Sequence, residues 1–150
     1  MIDELFLHEK LATLSQYVDE LRRIAARPVE EYERDLFVKR TGERTVELIV
    51  ECAVDINNHL AFELSQRIPS EYYQSFLEAA ACGVISQDLA RRLAPTAGLR
   101  TRLAHEYEAI VDFVVYRSIQ SMIPNYTEYI RQVVSWLQQQ ASLEEESGEQ

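Results

Sequence analysis

Glycine and proline are scarce in this sequence, four of each in 150 residues. Strand-rich folds need tight turns and the residues that make them, so the scarcity argues against an all-β architecture and leaves helix as the main element. Cysteine is scarcer still. Cys52 and Cys82 are isolated, and the absence of a CxxC pair argues against a zinc knuckle or redox motif. Both are expected to be reduced, buried small hydrophobes. The three histidines, His8, His59 and His105, are far apart along the chain, so no metal and no cofactor is expected. No apolar run approaches the ~18–20 residues of a membrane helix. The first residues carry acids early and lack the basic start and small-residue cleavage site of a signal peptide, so a cytoplasmic location is expected. Cations are also in the minority. Fifteen Lys and Arg face twenty-five Asp and Glu, and a net charge of −10 argues against a generic nucleic-acid coat.

Helical periodicity is abundant. Leu7, Leu11, Leu14, Val18, Leu21 and Ala25 step by 4, 3, 4, 3 and 4, one stripe of a helix that Arg27-Pro28 ends. A second segment runs from near Glu30 to about Gln66, with the stripe Val46, Ile49, Ala53, Ile56, Leu60 and Leu64. Gly42 lies inside it and marks either a bend or a break into two pieces. Ser70 is expected to cap a short helix from Glu71 to Cys82, with Tyr72, Phe76 and Ala79 or Ala80 inward, and Gly83 to stop it. Ser86 caps a further stretch through Leu93, which Pro95 and Gly98 interrupt. A last helix starts near Asp112 with the stripe Ile119, Ile123, Tyr126, Ile130, Val133 and Leu137, and Pro124 predicts a kink within it. Three long helices and two short ones imply an all-α fold, an antiparallel up-down bundle of about five helices. It is one domain over residues 1–140, followed by an acidic tail, 141–150, expected to be disordered. Without the four acids of the last seven residues the net charge of −10 falls to −6.

The cations are unevenly placed: Arg91, Arg92, Arg100 and Arg102 fall within twelve residues that contain no acid. The segment from Arg100 to Tyr107 reads R-x-x-x-x-H-x-Y. A histidine near its ordinary pKa of ~6.5 takes and gives a proton at neutral pH. An arginine binds a phosphate through two parallel hydrogen bonds and offsets charge that grows on it. RNA brings its own nucleophile, the 2′-hydroxyl, so this set needs no metal. On a regular helix, five steps turn the side chain by about 140°. Either a helix ends between Arg100 and His105, or each meets its counterpart from another chain, as a two-fold dimer would allow. Arg102, three residues from His105, shares its face and is a second candidate for holding RNA. Arg91 and Arg92 are RNA-binding candidates that otherwise read as a solvated helix face. Asp55 is a possible ion-pair partner for Arg100, and Asp55 and Asn58 are candidates to orient the motif. His8 and His59 read as structural, His59 capping or lining the core.

The segment 99-LRTRLAHEYEAIVDFVVY-116 resembles the hallmark region of the HepT family of the HEPN superfamily. The stretch 51-ECAVDINNHLAFEL-64, the proline-led short third helix, the turn 82-CGVIS-86, and Asp112 with Tyr116 extend the resemblance over roughly residues 3–139. It implies a HEPN-like bundle, a homodimer with a composite active site, and metal-independent ribonuclease activity as the toxin of a type VII toxin–antitoxin pair. By position, Arg100 and His105 become the catalytic pair. Tyr107 becomes the site that an MntA-like minimal nucleotidyltransferase antitoxin AMPylates. By family analogy the RNA is a transfer RNA. Many relatives carry Asn after the motif arginine where this chain has Thr101, which still hydrogen-bonds and bears on rate or substrate. Two other readings compete: a non-catalytic helical partner of a nucleotidyltransferase that supplies Tyr107 as acceptor, and a plain helical scaffold.

Overall fold

The computed structural model describes residues 1–105 and 110–148, and among them every regular element is helical. Helix α1 (Glu4–Ala25) opens at Asp3, whose carboxylate accepts the Phe6 N–H at 3.0 Å, and it buries Leu7, Leu11, Leu14, Val18, Leu21 and Ile24. Its last inward residue is Ile24, with Ala25 half-buried. Helix α2 (Val29–Arg34) follows Pro28 directly.

The long second segment does break, but at Asp35 and not at Gly42. Asp35 has extended backbone and its side chain accepts the N–H groups of Phe37 and Val38, at 3.0 and 3.3 Å, so it starts a new helix, α3 (Leu36–Ser65). Gly42 lies within that helix for a packing reason. A Cβ there would stand 3.0 Å from the Tyr32 ring and 3.3 Å from both Ile24 and Ile119. Val46, Ile49, Ala53, Ile56 and Leu60 are buried as the stripe predicts, while Leu64, in the last turn, is exposed.

Helix α4 (Tyr72–Ala81) begins after Glu71, with no side-chain cap, so Ser70 does not have the expected role. Gly83 does stop it. At φ +83° the Gly83 N–H reaches Ala80 O at 2.9 Å and the Val84 N–H reaches Ala79 O at 3.0 Å, the paired bonds of a Schellman ending. Cys82, expected in the core, is only half-buried at that ending; Cys52 is buried.

Ser86 caps α5 (Gln87–Leu93) through the Leu89 N–H at 3.1 Å. Pro95 then opens α6 (Pro95–His105) rather than interrupting a helix, since proline needs no N–H partner in the first turn. Gly98 is carried inside α6. These two extra elements, α2 and α6, turn the five-helix expectation into seven helices among the described residues. Helix α7 (Asp112–Gly148) continues through Pro124. Its buried face takes Val115, Met122, Tyr129 and Trp136 beside Ile119, Tyr126, Val133 and Leu137, with Ile123 and Ile130 half-buried at the edge. Leu137 is the last buried side chain. Residues 141–148 continue α7 and are exposed along their length.

Helices α1, α3 and α7 form the long bundle, and α4, α5 and α6 pack as a short-helix layer. Rings join the two parts. Phe76 of α4 lies 6.5 Å from Tyr126 and 6.4 Å from Tyr129 of α7, near edge-on in both cases. A buried polar chain runs through the same place. Tyr129 OH donates to Asn57 Oδ1 at 2.6 Å, Asn57 Nδ2 to Ser75 Oγ at 3.2 Å, and Ser75 OH to Tyr72 O at 2.7 Å. Thr96 OH donates to Leu93 O, which leaves Tyr126 OH to donate to Thr96 Oγ1 at 2.7 Å. That bond ties the first turn of α6 to the centre of α7. With Ala97 and Leu103 buried, it sets which face of α6 is outward.

Candidate active site

Helix α6 carries Arg100, Thr101, Arg102 and His105 without interruption. The first alternative for bringing Arg100 and His105 together, a helix ending between them, is therefore removed. Within one chain the two side chains leave α6 about 140° apart. His105 is exposed in the last turn, and Arg102 is exposed on the same side. Tyr107 lies outside the described residues.

Arg100 is held from two directions. Its Nη2 donates to Glu51 Oε1 of α3 at 2.9 Å, and its guanidinium carbon lies 4.9 Å from the centroid of the Tyr72 ring on α4. The ring face and the carboxylate together fix a long side chain that would otherwise sample many rotamers. The Glu51 hydrogen bond raises the Arg100 pKa above its ordinary value, with burial opposing. The Arg100 Nε is buried and has no hydrogen-bond partner among the described residues. Thr101 bonds back along its own helix to Ala97 O at 3.0 Å.

The expected partner of Arg100, Asp55, is committed elsewhere. It binds Lys10 of α1 at 2.8 Å, because one further turn of α3 rotates it away from α6 and toward α1. Asn58 is half-buried, and its Oδ1 has no hydrogen-bond partner among the described residues. Neither residue bonds Arg100. Glu51 and Tyr72 hold it instead. In the sequence Glu43, Glu47, Glu51 and Asp55 recur every fourth residue on α3, a pattern that supplies four equivalent acids and no way to choose among them. Tyr72, expected to face inward, is over a third exposed.

The acid-free run of sequence does not remain acid-free in space. Arg92 lies 3.3 Å from Asp88, one turn back on α5, and bonds Asn125 of α7 at 3.0 Å. Arg91 is exposed on the same helix. His59 has a structural role: its Nε2 accepts the Asp3 N–H at 3.1 Å and its ring centroid lies 5.1 Å from that of Phe6. His8 is exposed. Among the described residues, no group of three His, Cys, Asp or Glu side chains is arranged to hold a metal ion. No helix among them is long and apolar enough to cross a membrane.

Residues 14–133 match the family described as Ribonuclease HepT-like. The chain is 30% identical, over 97% of its own length and 97% of the relative's, to a tRNA nuclease HepT of Aphanizomenon flos-aquae. Among solved structures it resembles the tri-AMPylated HEPN toxin of Shewanella oneidensis in complex with its MNT antitoxin. There the identity is 20%, the TM-score is 0.79, and 87% of this chain and 97% of that one are covered. It also resembles YutE of Bacillus subtilis, a cytosolic protein of unknown function. The TM-score is again 0.79, at 15% identity and 93% coverage of both chains. At those identities the two structures show the fold, which is HEPN-like.

Proposed function

The chain belongs to the HepT-like ribonuclease family, and on that premise we propose that it is a cytoplasmic, metal-independent RNA endonuclease. It is the toxin of a type VII toxin–antitoxin pair, with tRNA as substrate class. The single observation that carries the reading is α6: one helix presents His105 in an exposed last turn and an Arg100 preset by Glu51 and Tyr72. His105 takes the proton of the ribose 2′-hydroxyl, whose oxygen then attacks the adjacent phosphorus. The O2′–P bond forms and the P–O5′ bond breaks. Products are a 2′,3′-cyclic phosphate and a 5′-hydroxyl, the leaving oxygen being protonated by water. Arg100 binds the phosphate and offsets the charge that accumulates on its oxygens. Arg102, on the His105 face, holds the RNA backbone, and Arg91 and Arg92 extend that contact. Thr101 adds a hydroxyl beside Arg100.

Because Arg100 and His105 diverge on α6, the active form is a homodimer in which the arginine of one chain works with the histidine of the other. A minimal nucleotidyltransferase antitoxin of the MntA kind silences it by AMPylating Tyr107. Each AMP adds about one negative charge and a bulky group two residues from the imidazole, which repels the RNA backbone. The relatives support this by their descriptions, one as a tRNA nuclease and one as an AMPylated toxin bound to its antitoxin.

The test is expression without the antitoxin. Growth arrest and tRNA cleavage should appear and should vanish in His105→Ala. Equal toxicity of that variant rejects the assignment. The Glu51–Arg100 ion pair favours a second reading, in which the arginine is neutralised and the chain only presents Tyr107 to a transferase. That reading is chosen if the purified chain binds the transferase and cuts no RNA.

A further inference from the structure

A cleft lies between the first turn of α4 and α6, immediately beside Arg100. Its volume is about 340 Å³, and its walls include Glu71, Tyr72, Tyr73, Gly98 and Arg100. That size is at the small end of ligand sites, which span roughly 300–1,000 Å³. Two adjacent tyrosines are exposed here, Tyr72 by 36% and Tyr73 by 45%, and both line one cleft rather than scattering over the surface. Gly98 is the second observation. It sits inside α6, where glycine costs roughly 1 kcal/mol against alanine, yet a Cβ at that position meets nothing within 4 Å. No neighbour of the folded chain requires a glycine there. The missing side chain keeps the wall of the cleft flat and open.

We propose that this cleft is a nucleobase subsite, which stacks one base of a single-stranded RNA segment against Tyr73 and the Tyr72–Arg100 wall. The inference rests on the nuclease reading for its phosphate. The guanidinium assigned to that phosphate is itself in contact with the Tyr72 ring, 4.9 Å from its centroid. A base and its own phosphate are joined through one ribose, so a single nucleotide reaches both. Aromatic rings stack on any base, because every base has a π-face. Glu71 then adds a preference. Its carboxylate opposes a second phosphate in the cleft and accepts hydrogen bonds from an exocyclic amino group, which favours adenine, cytosine or guanine over uracil.

Tyr73 is the residue to change, since Tyr72 also holds Arg100. The full-length chain is assayed on total tRNA and on a short single-stranded RNA in which an abasic residue is stepped along the sequence. Tyr73→Ala should raise KM roughly 5- to 150-fold, the range expected for loss of one aromatic–base stack, with kcat largely kept. Tyr73→Phe should behave as the unsubstituted chain. Placing the abasic residue at the stacked position should erase the difference between Tyr73→Ala and the unsubstituted chain. Tyr73→Leu, which retains apolar bulk without a π-face, takes the place of the alanine variant if that one folds poorly. An unmoved KM in Tyr73→Ala, or a Tyr73→Phe defect as large as that of alanine, overturns the subsite and leaves the nuclease reading intact. Failure of the unsubstituted chain to cleave any RNA overturns both.

Discussion

Mixing two inactive variants, Arg100→Ala and His105→Ala, should restore RNA cleavage to about one quarter of the wild-type level if the working site is shared between two chains. The shared site follows from the helix, and the figure from random pairing of the chains. Residues 100 and 105 are both on α6, so they are separated by about 7.5 Å along its axis and about 140° around it. With side chains reaching about 5–6 Å from that axis, the guanidinium and imidazole of one chain stand about 13 Å apart. A catalytic hydrogen bond spans about 2.6–3.2 Å, so two groups that far apart do not converge on one phosphodiester. In a two-fold dimer each site pairs the arginine of one chain with the histidine of the other. Random assembly of the two variants yields about half mixed dimers. In each mixed dimer one site carries both lesions and the other carries none, so about half of the sites in half of the dimers survive. The assay is tRNA cleavage by co-expressed chains bearing different tags. Purification through both tags should raise the recovered activity to about one half. Activity no greater than that of either variant alone refutes the shared site, and with it the inference from helix phase.

Two further outcomes follow from packing. Gly42→Ala should lower the melting temperature: the gain of about 1 kcal/mol in helix propensity is outweighed by about 1–3 kcal/mol of overpacking against Tyr32, Ile24 and Ile119, all buried. A net loss near 1 kcal/mol corresponds to about 2–4 °C in a domain of this size, and a rise on thermal melting would contradict the close contact. In thiol titration at neutral pH, Cys82 should react before Cys52. Burial pushes the Cys52 thiol up to about 11, so little thiolate exists there, and full labelling should await unfolding. Equal labelling rates in the folded protein would show that α1 and α3 open readily.

The helical character and most of the core were legible in the sequence because an amphipathic helix repeats its apolar residues every three or four positions. The stripe on α1 matched the buried face almost residue for residue, and the Gly83 stop and the Ser86 cap were read from local chemistry alone. Interruptions were harder. Proline and glycine were read as breakers, yet Pro95 begins a helix and Gly42 lies within one, while Asp35 makes the break by capping. The same side chains start or end a helix according to what their backbone faces, which no window of sequence contains.

Periodicity and spacing alone make the chain a helical bundle and separate Arg100 from His105 by a fixed phase if one helix holds both. The sequence also carried the family resemblance. That one helix does hold both, and that Glu51 rather than Asp55 restrains the arginine, became visible with the packed helices. So did the outward placement of Tyr72, beside the arginine and not in the core. The reason is the same in each case. Local spacing sets the direction in which a side chain leaves its helix, whereas its partner is chosen by how separate helices are docked. That docking rests on contacts such as Tyr126 with Thr96 and Tyr129 with Asn57, made between residues far apart in the chain.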